Sequence, residues 1–135
     1  MGEAAIELSK IEKRYGGRAA LAGVDLSVRR GEFVALVGHS GSGKTTLLKT
    51  INGLIAPDAG LVRMEGEPAD ARPAHELRRR IGYVFQEVGL FPHLSIAENI
   101  SITPRLLGWE KARMARRVDE LLDLVALPRE VAGRS

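Results

Sequence analysis

The chain has 135 residues, no cysteine, and 20 Lys and Arg against 17 Asp and Glu, a formal charge of +3, with 44% hydrophobic side chains. At roughly 100–200 residues per domain this is one domain at most, with apolar content enough for a core, so a multi-domain machine is excluded. The charge is small and evenly spread despite a sequence pI near 9.6, which leaves no electrostatic case for a nucleic-acid partner.

The N-terminus, MGEAAIELSKIEKRYGG, has acidic residues where a secretory leader needs a basic start and an apolar stretch. It begins Met-Gly but has Ile6 where a myristoylation motif wants Ser or Thr. Without cysteine no disulfide can form, and the expected location is the cytoplasm. The longest unbroken apolar run is Phe33–Val37, far below the roughly 20 residues that cross a bilayer, so any membrane role is expected to run through a partner.

Along the chain, Ile6–Ile11 and Leu21–Val28 alternate apolar with small or polar residues and predict two half-buried strands around a turn at Tyr15–Arg18. A second turn, Arg29–Glu32, leads into Phe33–Val37, a continuous run of β-formers that predicts a strand covered on both faces, as in a parallel sheet. Gly38–Gly43 is too glycine-rich for helix or strand. Lys44–Asn52 then predicts a helix with Leu47, Leu48 and Ile51 on one face and Gly53 as its stop. After a turn at Ala56–Gly60 come a short strand at Leu61–Glu65, a short helix at Pro73–Arg80, a strand at Ile81–Phe85 and a loop at Gln86–Leu94. Ser95 followed by Glu98 is the pattern of a capping box. Glu110–Ala126 predicts a helix whose Met114, Val118, Leu121, Leu122 and Val125 share an apolar face opposite Arg113, Arg116, Arg117, Asp119, Glu120 and Asp123.

The order strand, glycine loop, helix gives meaning to Gly38-His39-Ser40-Gly41-Ser42-Gly43-Lys44-Thr45, which fits the phosphate-loop pattern G-x-x-x-x-G-K-[ST]. The glycines let backbone N–H groups approach a phosphate with no side chain in the way. Lys44 reaches the β- and γ-phosphates as a mobile point charge, the Thr45 hydroxyl can ligate Mg²⁺, and the helix adds its positive N-terminal dipole. Nucleotide binding is the strong expectation.

The surroundings narrow it. The stretch from Ile6 through KRYGG, the phosphate loop and RRRIGYVFQEVGLFPHLSIAENI resembles the N-terminal part of the nucleotide-binding subunit of ATP-binding cassette transporters, and the resemblance runs from Ile6 to the end of the chain. It implies an α/β fold: a phosphate-loop NTPase core with a largely parallel sheet, an N-terminal antiparallel β portion, and the start of a helical subdomain. It further implies that Tyr15 stacks on adenine, that Lys44, Thr45 and Thr46 contact phosphate and Mg²⁺, and that Gln86 touches Mg²⁺ or the attacking water. The loop of Leu90, Phe91 and Pro92 would receive a transmembrane permease subunit. The words VGLFPHLSIAENI and LLGW are most similar to the ATPases of importers for osmoprotectants such as glycine betaine and choline. Such systems imply a second nucleotide-binding subunit, an extracytoplasmic solute-binding protein, and a place on the inner face of the membrane through the permease.

Family members hydrolyse ATP with a signature motif of the LSGGQ type, an apolar strand ending in Asp and a catalytic Glu (Walker B), and a switch histidine; none is in these 135 residues. The chain is therefore expected to be a partial nucleotide-binding domain that binds Mg-ATP without hydrolysing it. The alternative is a stable non-catalytic nucleotide-binding module that docks on a partner. No substitute acid presents itself: Asp25 after Ala22-Gly23-Val24 reads as a strand-end residue, and Glu87 as a solvated loop carboxylate. His39, His75 and His93 are too scattered for metal-ligand spacing. Arg78-Arg79-Arg80 reads as a solvated helix end, Trp109 as a packing residue and Met114 as core.

Overall fold

The computed structural model describes residues 4–135; Met1–Glu3, and with them the Met-Gly start read for myristoylation, lie outside the described residues. The chain forms two compact units, one ending at Ile81 and the other beginning at Gly82.

In the first unit β1 (Ala4–Tyr15) and β2 (Arg18–Arg29) form the expected hairpin, longer than the alternating segments at both ends. β3 (Ala59–Met64) and β4 (Glu67–Pro68) complete an antiparallel sheet of order β2-β1-β3-β4. Strict alternation would put residues 8 and 11 on opposite faces, yet Leu8 and Ile11 are both fully buried. The register shifts between them against both neighbours, and Lys10 sits there with φ 48. The extra residue is a β-bulge that returns Ile11 to the core face. Its backbone N–H donates to Asp25 Oδ1 at 2.8 Å. Across the pair, Gly60 at φ 95 passes so close that a Cβ there would lie 2.6 Å from the Ser9 carbonyl oxygen, so only glycine fits beneath the bulge.

Helix α1 (Lys44–Ile51) lies on this sheet, and Leu8, Ile11, Leu21 and Val62 close a core with its Leu47 and Ile51. Leu48, expected on the same face, is 45% exposed. The buried position belongs to Thr50, whose hydroxyl donates to the Leu47 carbonyl at 2.6 Å and so needs no outside partner. A short helix, α2 (Ala74–Arg79), contributes Leu77 to the interior and ends in Arg78, exposed, and Arg79, half-buried.

Two expected strands differ. Phe33–Val37 and Ile81–Phe85 belong to no ladder among the described residues, and Phe33, Val37 and Val84 are each more than 90% exposed. A strand exists only where a neighbour takes its N–H and C=O groups, and the parallel pairing these apolar runs call for has no partner among the described residues.

The second unit is helical: α3 (Ile96–Ile100), α4 (Ile102–Leu106), α5 (Lys111–Leu124) and a 3-10 turn at Arg129–Gly133. Ser95 and Glu98 form the full capping box, each side chain bonding the other's backbone N–H at 3.1 Å. α5 buries Val118 and Leu122, with Met114 and Leu121 half-buried beside them; Val125 lies past the helix end and is exposed, a correction to the expected stripe. Pro104, expected as punctuation, stands inside the first turn of α4, where its missing N–H breaks no helical bond. Among the described residues no helix is long and apolar enough to cross a membrane.

Candidate nucleotide site

The loop Gly38–Gly43 runs into α1, and its conformation follows from contacts that side chains would block. Gly43 is the N-cap at φ 94, in the left-handed region. A Cβ on it would lie 2.5 Å from the carbonyl oxygen of Ala20 in β2, so the loop can rest on the hairpin only as glycine. A Cβ on Gly38 would lie 2.7 Å from Ser42 Oγ, and the Ser42 N–H donates to the His39 carbonyl at 3.1 Å, closing the loop on itself. Lys44 Nζ donates to the Gly38 carbonyl, which folds the ammonium back over the loop rather than out to solvent.

Among the described residues no side chain caps α1, and no acidic residue stands in its first turn. Its first N–H groups and positive dipole are therefore not answered by a carboxylate of α1 itself, the electrostatics that suit an anion. Thr45 is exposed and Thr46 half-buried in this first turn, with His39, Ser40, Gly41 and Ser42 exposed around the loop. The donors available are the loop's backbone amides, one ammonium, and the hydroxyls of Ser40, Ser42, Thr45 and Thr46. Such a set fits a nucleotide polyphosphate, with the Thr45 hydroxyl as the oxygen ligand a Mg²⁺ ion would take.

Tyr15 closes the β1–β2 hairpin and is half exposed. Its cross-strand partner is Arg18, two residues before the Ala20 that backs Gly43, so tyrosine and phosphate loop belong to one continuous piece of structure. Lys13 Nζ lies 5.5 Å from the Tyr15 ring centroid. The same ammonium bonds the Ala56 carbonyl at 3.1 Å and Asp58 Oδ1 at 3.4 Å, while Asp58 Oδ2 accepts the Arg14 N–H at 2.8 Å. The Arg14 N–H, aided by Lys13, holds the Asp58 carboxyl below its ordinary value. The sequence reading missed Asp58; the signal was an Asp in the turn before β3, a residue type that bonds backbone N–H groups.

Gln86, Leu90, Phe91 and Pro92 fall in the second unit and all are exposed. The loop that carries them is held by Asn99, also missed from sequence. Its side chain accepts the Phe91 N–H at 2.8 Å and donates to the carbonyls of Phe91, at 3.1 Å, and Ser95, at 2.9 Å. Phe91 further meets the His93 ring edge-on at 5.9 Å. Asp25, considered as a stray acid, is spent on the bulge, and among the described residues no group of three or more His, Asp or Glu could hold a metal ion.

Loop, lysine and uncapped helix terminus define a phosphate-loop nucleotide-binding protein. Comparison with known proteins gives the family: the family model for ABC transporters matches residues 21–134. The chain belongs to the ABC transporter family. It is 46% identical over 132 residues to the osmoprotectant import ATP-binding protein OsmV of Salmonella typhimurium, covering 91% of this chain and 35% of that protein. It is 44% identical to the glycine betaine uptake system ATP-binding protein YehX of Escherichia coli, covering 96% of this chain and 42% of that one. Among solved structures, a dimeric bacterial ABC transporter cassette superposes with a TM-score of 0.83 at 32% identity, covering 95% of this chain and 60% of its own. CbiO1 of Clostridium perfringens, part of an ABC transporter complex, gives 0.83 at 26% identity over 98% of this chain and 54% of its own. The chain thus spans well under half the length of these curated relatives, and it has the ABC ATPase fold over that span.

Proposed function

We propose that this chain is the nucleotide-gripping part of the ATP-binding subunit of an importer for osmoprotectants of the quaternary-amine class. The observation that carries the reading is the phosphate loop: Gly43 pressed on the Ala20 carbonyl and Lys44 folded over Gly38, at the start of a helix with no acid in its first turn. In this reading Gly38–Lys44 cradle the phosphates with Thr46 as a further contact, Thr45 ligates Mg²⁺, and Tyr15 covers the adenine. Gln86 touches Mg²⁺ or the attacking water. When bound, Mg²⁺ supplies charge neutralisation at the β- and γ-phosphates. Leu90, Phe91 and Pro92 receive the permease, which holds the subunit at the cytoplasmic face of the membrane. A second nucleotide-binding subunit and an extracytoplasmic binding protein complete the system. The choice of solute is supported by the printed functions of OsmV and YehX.

The residues in hand form a partial nucleotide-binding domain. With no LSGGQ-type stretch and no apolar strand ending in Asp-Glu after the loop, they bind Mg-ATP without turning it over. The test is titration with a fluorescent ATP analogue beside a phosphate-release assay. Lys44→Ala should abolish binding and the parent chain should release no phosphate. Unchanged affinity in the variant would sink the assignment.

A further inference from the structure

The elbow between α4 and α5 carries a side-chain cluster that nucleotide binding does not use. α4 closes in a left-handed cap: Gly108 has φ 76, its N–H donates to the Arg105 carbonyl at 3.0 Å, and the Trp109 N–H donates to the Pro104 carbonyl at 3.0 Å. This double bond pattern fixes the direction in which Trp109 leaves the helix. In the first turn of α5, Arg113 lays its guanidinium 3.6 Å from the Trp109 ring centroid, a close cation–π stack. Leu106 and Leu107, just before, are 55% and 50% exposed.

Arg116 and Arg117 follow Arg113 by three and four residues and so share its face. With Trp109 and Glu120 they line an open cleft of about 400 Å³. The cleft carries three arginines against one acid, Glu120. The two aspartates of α5, Asp119 and Asp123, are turned to Arg129 at 3.8 and 2.8 Å, and the acid in the cleft, Glu120, pairs with Arg117 at 3.0 Å. Arg113 and Arg116 have no acidic partner among the described residues.

We propose that this elbow is a membrane-surface contact, in which Arg113, Arg116 and Arg117 take the anionic headgroups of a bilayer and Leu106, Leu107 and Trp109 enter the headgroup boundary. The proposal rests on the reading that the subunit works beside a membrane. Arginine stems and an indole ring suit an interface that is apolar on one side and wet on the other. An acidic protein surface would satisfy the arginines and leave the two leucines idle; an anionic bilayer takes both.

Trp109 is the single tryptophan of the chain, so its emission reports this elbow alone. Vesicles holding roughly one-third phosphatidylglycerol should shift that emission to the blue, pure phosphatidylcholine should not, and added salt should reverse the shift. In vesicle flotation the double variant Arg113→Gln, Arg116→Gln should bind roughly 25-fold more weakly, at about fivefold per charge removed. Its fold is checked by circular dichroism and by undiminished binding of the fluorescent ATP analogue. Equal binding to neutral vesicles, or unchanged flotation of the double variant, overturns the proposal. So does a blue shift with soluble polyglutamate as large as with vesicles, which assigns the elbow to a protein partner. Loss of analogue binding in the parent chain with the vesicle response intact overturns the nucleotide reading alone.

Discussion

The backbone N–H of Lys10 donates to the carboxylate of Asp25 across 2.8 Å, from the middle of one strand to the side chain of the next. This bond holds the bulge that lets Leu8 and Ile11, three residues apart, face one core. Asp25→Ala leaves the Lys10 N–H without its acceptor and should cost about 1.5–3 kcal/mol in urea unfolding, the range for a hydrogen bond to a charged group. A loss confined to surface-substitution size, within about 0.5 kcal/mol, would show that the bulge stands without it.

Asp58 stands to the Tyr15 hairpin as Asp25 stands to the bulge. Its carboxylate holds the Arg14 N–H and the Lys13 ammonium, and Lys13 lies over Tyr15. On the proposed function, in which Tyr15 covers the adenine and the loop holds the phosphates, Asp58→Asn should weaken ATP several-fold and leave inorganic triphosphate unchanged. Calorimetric titration with both ligands reads the difference, and an equal loss for both would remove Asp58 from the positioning of Tyr15.

Acid should unfold the molecule through its bonded carboxylates. Asp58 is lowered by the Arg14 N–H, Glu98 by the Ser95 N–H and then the Ser95 hydroxyl, and Asp123 by its bond to Arg129. A carboxyl lowered in the folded state stabilises fully above its ordinary value, here 3.8 for Asp and 4.5 for Glu, and that contribution fades as pH falls through the lower folded value. Stability should therefore fall below about pH 4. Replacing Asp58, Glu98 and Asp123 by their amides should flatten that limb in thermal melts run from neutral to acid pH.

Core and cap substitutions separate the two units. Leu122→Ala empties a fully buried site on α5 and should cost about 2–5 kcal/mol. Ser95→Ala removes half of the capping box of α3 and should cost about 1 kcal/mol. Asn99→Ala should speed amide exchange at Phe91 roughly tenfold, since that N–H donates to the Asn99 side chain. Exchange at Val62 in β3 should not change in any of the three variants, and protection lost there would mean that the units unfold together.

Local chemistry was the legible part of this chain. The two-residue turn at Gly16-Gly17, the phosphate loop and the capping box each lie within a few consecutive residues, and each stands where its residues put it. What escaped needed partners distant in sequence. The bulge at Lys10 depends on Asp25 and on Gly60, and the order of the Phe91 loop depends on Asn99, eight residues on. Leu48 was misplaced because an eight-residue helix gives a periodic pattern little length to average over, and a threonine that bonds its own turn can take the buried position as well as a leucine. Phe33–Val37 reads as a strand from composition, but strand pairing is a property of two segments and this one finds no partner among the described residues.

That unpaired run, with Val84 in the other unit, sets how the molecule behaves in a tube. An apolar segment outside any ladder offers both its side chains and its backbone groups to whatever strand it meets, and a second copy of the chain is the nearest supply. Concentration, more than temperature, should then decide how long the protein stays in solution.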